Sequence, residues 1–185
     1  MGFPSGRFGG MVGAIRTLRG ASRQPLADHP DMKTPKLRHL TSSERALALE
    51  VFGTGLATEQ VRILALPWWR RAFVVGPGLL VWPAETMPTD FGAGDCPLAI
   101  QAVFVHELTH VWQAQRGVSL LLAKLRAGDG AAAYAYDLKQ GPGFLALNIE
   151  QQAMVVEDAF RLSRGGTAPH QARLYADASR YWYQA

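Results

Sequence analysis

Hydrophobic positions from residue 41 onward fall into two rhythms. Thr41-Ser42-Ser43-Glu44 opens the first, since a Thr followed three residues later by Glu forms a capping box in which each side chain satisfies a backbone N–H at the helix start. Thr41 is the expected N-cap, and Ala46, Leu47, Leu49 and Val51 carry a helix to about Phe52, where Gly53 ends it. Residues 61–66, Val-Arg-Ile-Leu-Ala-Leu, alternate as a strand does and stop at Pro67. Residues 72–75 and 79–82 are two more short apolar runs, separated by the turn Gly76-Pro77-Gly78. Residues 83–95, with two prolines and two glycines, read as loop.

The helical rhythm returns at residues 97–116. The window contains no Gly, its single Pro stands at the first position, where a helix tolerates it, and Gly117 is the expected C-cap. A second helix is expected over 118–126, with Leu120, Leu121, Leu122 and Leu125 apolar. Tyr134-Ala135-Tyr136 alternates and predicts a short strand; Gly141-Pro142-Gly143 predicts a turn. Long helices are expected at 144–162 and 169–183. The chain shows no internal repeat. The predicted class is α+β, a small sheet packed on a central helix and further helices.

Composition adds a division of the chain. Its 185 residues suit one domain with a real core, and 48% hydrophobic with 18% charged residues describe a globular protein. The net charge of +4 is unevenly spread: residues 1–40 hold 7 Lys+Arg and 2 Asp, the remaining 145 hold 12 Lys+Arg and 13 Asp+Glu. Residues 1–40, rich in Gly, Pro, Arg and Ser, are therefore expected to be a disordered basic arm, and residues 41–185 a single domain. A nucleic-acid partner would call for a basic face on the folded body, so none is expected. No run of 18 apolar residues predicts a transmembrane helix. The expected location is the cytoplasm, with export through a non-classical secretion system as the alternative. Cys96, the only cysteine, excludes an internal disulfide and is read as a small residue at the core edge.

The candidate chemistry lies in the residue 97–116 helix. His106-Glu107-Leu108-Thr109-His110 places two imidazoles four residues apart, hence on one face, with a carboxylate beside them. Two neutral imidazoles at that spacing can grip one Zn²⁺, and Glu107 is placed to act as a base toward a water on the ion; this is the H-E-x-x-H signature of zinc metalloproteases. A catalytic zinc site takes three protein ligands. Downstream candidates are Asp137, Glu150, Glu157, Asp158, His170 and Asp177. Glu150 is preferred, because it is an acid in an otherwise apolar helical pattern and the small Ala153 lets its helix approach the first. Glu157 is the rival; it lies about 10.5 Å further along a helix, so the two cannot bind the same ion.

The order of motifs resembles a group of short bacterial proteins labelled Vgr-related. It is also similar to the metallopeptidase-like domain that accompanies extracellular contractile injection systems. The residues that carry the resemblance span 40–164: Leu40-Thr41 with Glu44, the pair Trp68-Trp69, H-E-L-T-H-V-W-Q followed by Gln115-Arg116-Gly117, the Tyr134/Tyr136 pair, and Glu150-Gln151-Gln152-Ala153. The resemblance implies a gluzincin-like, minimal zincin fold with Glu150 as third ligand. Similar peptidases carry Asp directly after E-x-x-A, an outer partner of a ligand histidine; here that position is Met154.

The expected activity is that of a zinc metallopeptidase acting on a peptide or protein, with Zn²⁺ on His106, His110 and Glu150 and Glu107 activating the water. Tyr134 and Tyr136 are candidate donors to the developing oxyanion, and their alternation lets only one face the site. The sheet edge, placed at residues 79–82, is a candidate for strand addition by a peptide. The competing expectation is a zinc-binding module of little or no activity that docks onto a secretion or envelope machine. Trp68-Trp69-Arg70-Arg71 is read as a turn whose tryptophans pack on the sheet rather than as an aromatic-basic surface.

Overall fold

A computed structural model of the chain describes residues 34–128, 130–141 and 143–184. Residues 1–33 of the expected arm lie outside the described residues. The last residues assigned to the arm belong to the fold: Lys36–His39 form β1, the antiparallel edge partner of β2 (Arg62–Leu66). Alternating charged residues on a short strand suit an edge, where one side faces solvent. β2 runs parallel to β4 (Leu79–Pro83), and β3 (Phe73–Val75) closes the other edge antiparallel to β4, giving the order β1-β2-β4-β3. The edge expected at residues 79–82 is thus an inner strand, and β3 holds the edge. Ile63, Ala65, Leu80 and Trp82 are buried, as the alternation in β2 requires.

α1 (Ser42–Phe52) starts on the expected capping box, with the Glu44 amide donating to Thr41 Oγ1 at 3.1 Å and the Thr41 amide to Glu44 Oε2 at 2.9 Å. Glu44 does more than cap. Its fully buried carboxylate accepts two bonds from the Arg38 guanidinium, each 2.7 Å, and one from the Phe91 amide at 3.0 Å. One carboxylate thereby ties β1, α1 and the loop after β4 together. That loop delivers Phe91, which stacks on Phe104 at 4.3 Å and meets Trp82 edge-on at 4.5 Å. Trp68, expected to pack on the sheet, is 77% exposed, and Trp69 is 45% exposed with Phe73 as a ring partner at 5.4 Å. Behind Pro67 the backbone turns through a left-handed Trp68, φ 60°, which carries its side chain outward. For a bulky residue such a φ costs about 1–3 kcal/mol.

α2 (Leu98–Gln115) follows Pro97 and is buried almost all round from Ala102 to Gln113. Gly117, at φ 83°, reverses the chain after it. α3 (Leu120–Ala127) is shorter than expected and buries none of its residues. The strand expected at Tyr134-Ala135-Tyr136 is absent: Ala131–Ala133 form a 3-10 turn and the tyrosines follow in irregular chain. The helix expected at 144–162 is divided into a 3-10 turn at Phe144–Ala146 and α4 (Ile149–Ser163). Asn148 makes the division. Its side chain accepts from the Glu150 and Gln151 amides at 2.9 Å each, and Gln151 Oε1 accepts from the Asn148 amide at 3.0 Å, a second capping box. α5 covers Ala172–Ser179 rather than 169–183. The observed class is α+β, with a four-stranded sheet and five α-helices among the described residues, none long and apolar enough to cross a membrane.

α4 is joined to its surroundings by a buried polar relay. Tyr136 donates to Asp158 Oδ2 at 2.6 Å and shares a 2.6 Å bond with the Tyr175 hydroxyl of α5. Burial raises the Asp158 carboxyl, the Tyr136 bond opposes it, and the adjacent Glu157 carboxylate adds to the rise, leaving the group pushed up to about 6. A carboxyl whose folded pKa is raised favours the fold below its unfolded value, and that contribution is lost as pH rises through the folded one.

Two outcomes follow from these contacts. Glu44→Ala orphans the Phe91 amide and the Arg38 guanidinium and should lower stability by about 2–4 kcal/mol, read from urea denaturation midpoints. The stability difference between wild type and Asp158→Asn should fall as pH rises from about 4 to about 6, by roughly 2–3 kcal/mol at most, in a pH series of thermal melts.

Candidate metal centre

α2 and α4 lie against each other, and their contact carries the site. His106 and His110 project from one face of α2, ring centroids 5.0 Å apart and nearly perpendicular. Glu150 enters from the first turn of α4, where the Asn148 cap fixes the helix start. Its Oε2 lies 3.4 Å from His106 Nε2 and its Oε1 3.7 Å from His110 Nε2. One donor atom from each of the three residues lies within 4.8 Å of the others, and all three residues are buried. The group could hold a metal ion.

The other nitrogen of each imidazole is already committed. His106 Nδ1 bonds Glu157 Oε2 at 3.0 Å, and His110 Nδ1 bonds Gln113 Oε1 at 2.8 Å. Gln113 has no freedom to flip, since its amide nitrogen donates to the Ile149 carbonyl at 3.0 Å and to Gln152 Oε1 at 2.9 Å. With Nδ1–H donated outward on both rings, both Nε2 atoms face Glu150, and a metal ion there would take the place of the proton that His106 Nε2 holds toward the carboxylate. This donor set, two imidazoles and a carboxylate, suits a divalent ion such as zinc.

Glu157, the rival ligand, is thus a partner of a histidine instead. Seven residues at about 100° each return almost to the same helix face, so Glu157 lies below Glu150, two turns deeper. Its extra methylene relative to Asp lets it reach His106 from one turn beyond Met154. Arg161 holds its other oxygen at 2.5 and 3.1 Å. Sequence reasoning missed this role and those of Gln113 and Lys124, whereas Arg161 is the partner it offered a helical glutamate. The spacing His110–Gln113 and Glu157–Arg161 on single helices was the available signal.

Electrostatics support ionised carboxylates here. Burial opposes ionisation of Glu150, but His106, His110 and Lys124 outweigh it and hold the carboxyl below the ordinary range. Glu157 is lowered in the same way, burial being overcome by His106 and Arg161. His106 is pushed up to about 9: burial alone would lower it, and Glu150 and Glu157 reverse that. Lys124 Nζ on α3 donates to Glu150 Oε1 at 2.7 Å and to the Tyr134 hydroxyl at 2.8 Å. Tyr134 therefore stands at the edge of the three-residue group, whereas the Tyr136 hydroxyl is committed to Asp158 and Tyr175. Glu107 is 5% exposed and lines a recess with His106, next to Met154.

Fold and site together define an α+β domain whose two central helices carry a buried pair of histidines and a glutamate. Comparison with known proteins agrees on its kin. The chain is 31% identical over 170 residues, 85% of its length, to the type VI secretion system spike protein VgrG2b of Pseudomonas aeruginosa. It spans only 16% of that relative's length. Among solved structures it is similar to the effector domain of Pseudomonas aeruginosa VgrG2b, with 29% identity, a TM-score of 0.59, and 86% of this chain and 89% of that one covered. These matches support a Vgr-related family for the chain. No protein-family model matches it.

Glu157→Gln keeps the shape but removes the anionic acceptor from His106. Zinc affinity, measured by competition with a chelating dye, should fall about 10–100-fold.

Proposed function

We propose that the chain is a zinc-dependent peptide hydrolase of gluzincin type, working as an effector domain associated with type VI secretion. The observation that carries the reading is the pair of imidazoles whose Nδ1 atoms are bound outward, leaving both Nε2 atoms beside Glu150. A site meant only to bury histidines has no need of that shared orientation, nor of Glu107 next to it. The similarity to the VgrG2b effector domain supports the secretion association.

His106, His110 and Glu150 would hold the ion. When bound, zinc supplies a Lewis acid that acidifies water and polarises a carbonyl. Glu107 takes a proton from the attacking water and passes it to the leaving amine, bringing no net change in its own protonation over a turnover. Glu157 and Gln113 keep the ligand rings from rotating. Tyr134, beside Lys124 and Glu150, is the better placed of the two tyrosines to donate to the developing oxyanion. β3, the free edge next to α2, offers backbone groups to an extended peptide, the role first sought at residues 79–82.

Purified protein should carry about one zinc per chain by elemental analysis, as three protein ligands predict, and His106→Ala should carry none. Glu107→Gln should keep the zinc and lose about 10²–10⁴-fold in the rate of peptide cleavage. Zinc in both proteins with no cleavage by either, across a peptide library, would replace the hydrolase by a zinc-stabilised docking module.

A further inference from the structure

The recess beside Glu107 is lined by apolar side chains, by the carboxylates of Glu107 and Glu157, and by two arginines. Ile100, Val103, Pro83 and Met154 form its apolar part, and the Arg70 and Arg71 side chains stand at its mouth. Both arginines are exposed, and neither makes an ion pair or hydrogen bond with another described residue. They follow the turn in which Trp68 takes a left-handed conformation, and they lead into the edge strand β3. The acids that share the recess leave the guanidinium groups available. Glu157 is bound by His106 and Arg161, and Glu107 lies beside the three-residue group, where a divalent cation would offset its charge.

We infer that this recess is a subsite for an acidic side chain of the peptide, its methylenes against Met154 and Val103 and its carboxylate on Arg70 and Arg71. The inference rests on the peptide-hydrolase reading and adds the substrate class to it. An aliphatic stem ending in a carboxylate matches an apolar wall with a guanidinium rim, and Arg is the cation best shaped to grip a carboxylate. Met154 has a part in this. An Asp at that position would place a negative charge in the wall of the recess. With Glu157 already serving His106, position 154 is open to an apolar side chain.

The test uses binding, so that it does not depend on turnover. Zinc-loaded Glu107→Gln protein is titrated with fluorescent decapeptides that differ only in one central Glu, Gln or Lys. The Glu peptide should bind on the order of tenfold more tightly than the Gln peptide, the worth of one charge-assisted contact. Adding Arg70→Ala and Arg71→Ala should erase the difference. Arg70→Glu with Arg71→Glu should reverse it in favour of Lys, at unchanged zinc content and melting temperature, which a merely structural role of the arginines would not produce. Equal binding of the three peptides overturns the inference. Arginine-dependent binding to phosphatidylglycerol vesicles without peptide discrimination also overturns it and assigns the arginines to a lipid surface. A retained Glu preference in a protein that hydrolyses nothing supports the subsite while removing the hydrolase reading.

Discussion

His106 is gripped from both sides of its ring by carboxylates of one neighbouring helix, and the architecture depends on that grip. Glu150 faces Nε2 and Glu157 bonds Nδ1. The two acids sit two turns apart on α4, so the ring fixes both the spacing and the rotation of α4 relative to α2. A slip of one residue would swing each acid by about 100° and leave buried charges unpaired. The helix pair is consequently held in register by polar geometry as well as by the apolar packing of Val155, Val156 and Phe104 around it.

Buried charge at this density is costly unless each member is compensated, and the chain compensates in pairs. Arg161 answers Glu157 and Lys124 answers Glu150. Further out, Arg38 answers Glu44, and Tyr136 with Tyr175 answers Asp158. Each cation comes from the solvent side of its acid, with its charged end kept partly wet while the carboxylate is buried, which limits the desolvation cost.

Much of this was legible in the chain. The capping box at Thr41 and Glu44, the alternation in β2 and the Gly-free run of α2 all depend on local rules, and local rules are what a sequence displays. Glu150 stood out because an acid in an apolar helical face needs a reason. What stayed hidden was decided by tertiary contact or by short polar competition. Asn148 splits an apolar run that periodicity alone joins, because its side chain offers the backbone a better start. Lys36–His39 look like arm by composition and become strand only because β2 offers an edge. Trp68-Trp69 read as packed residues, since burial is the usual fate of tryptophan, and the left-handed turn that exposes Trp68 is not encoded by any glycine. Glu157 was seen as an alternative to Glu150 when it is its complement, a relation visible only once the helices face each other.

Glu157 and Met154, one turn apart on α4, divide two duties between them. The requirement at His106 is an anionic oxygen at Nδ1, not a particular residue, and a helix repeats its face closely enough for the acid one turn deeper to meet it if the side chain is longer. Position 154 lies in the wall of the recess beside Glu107. There Met154 presents an unbranched, polarisable chain that adapts to what it touches. An Asp would have tied the character of the recess to the needs of the histidine. With the Glu157 carboxylate held by His106 and Arg161, the apolar part of the recess is shaped by Met154 and Val103 and its exposed rim by the arginines of the Trp68 turn.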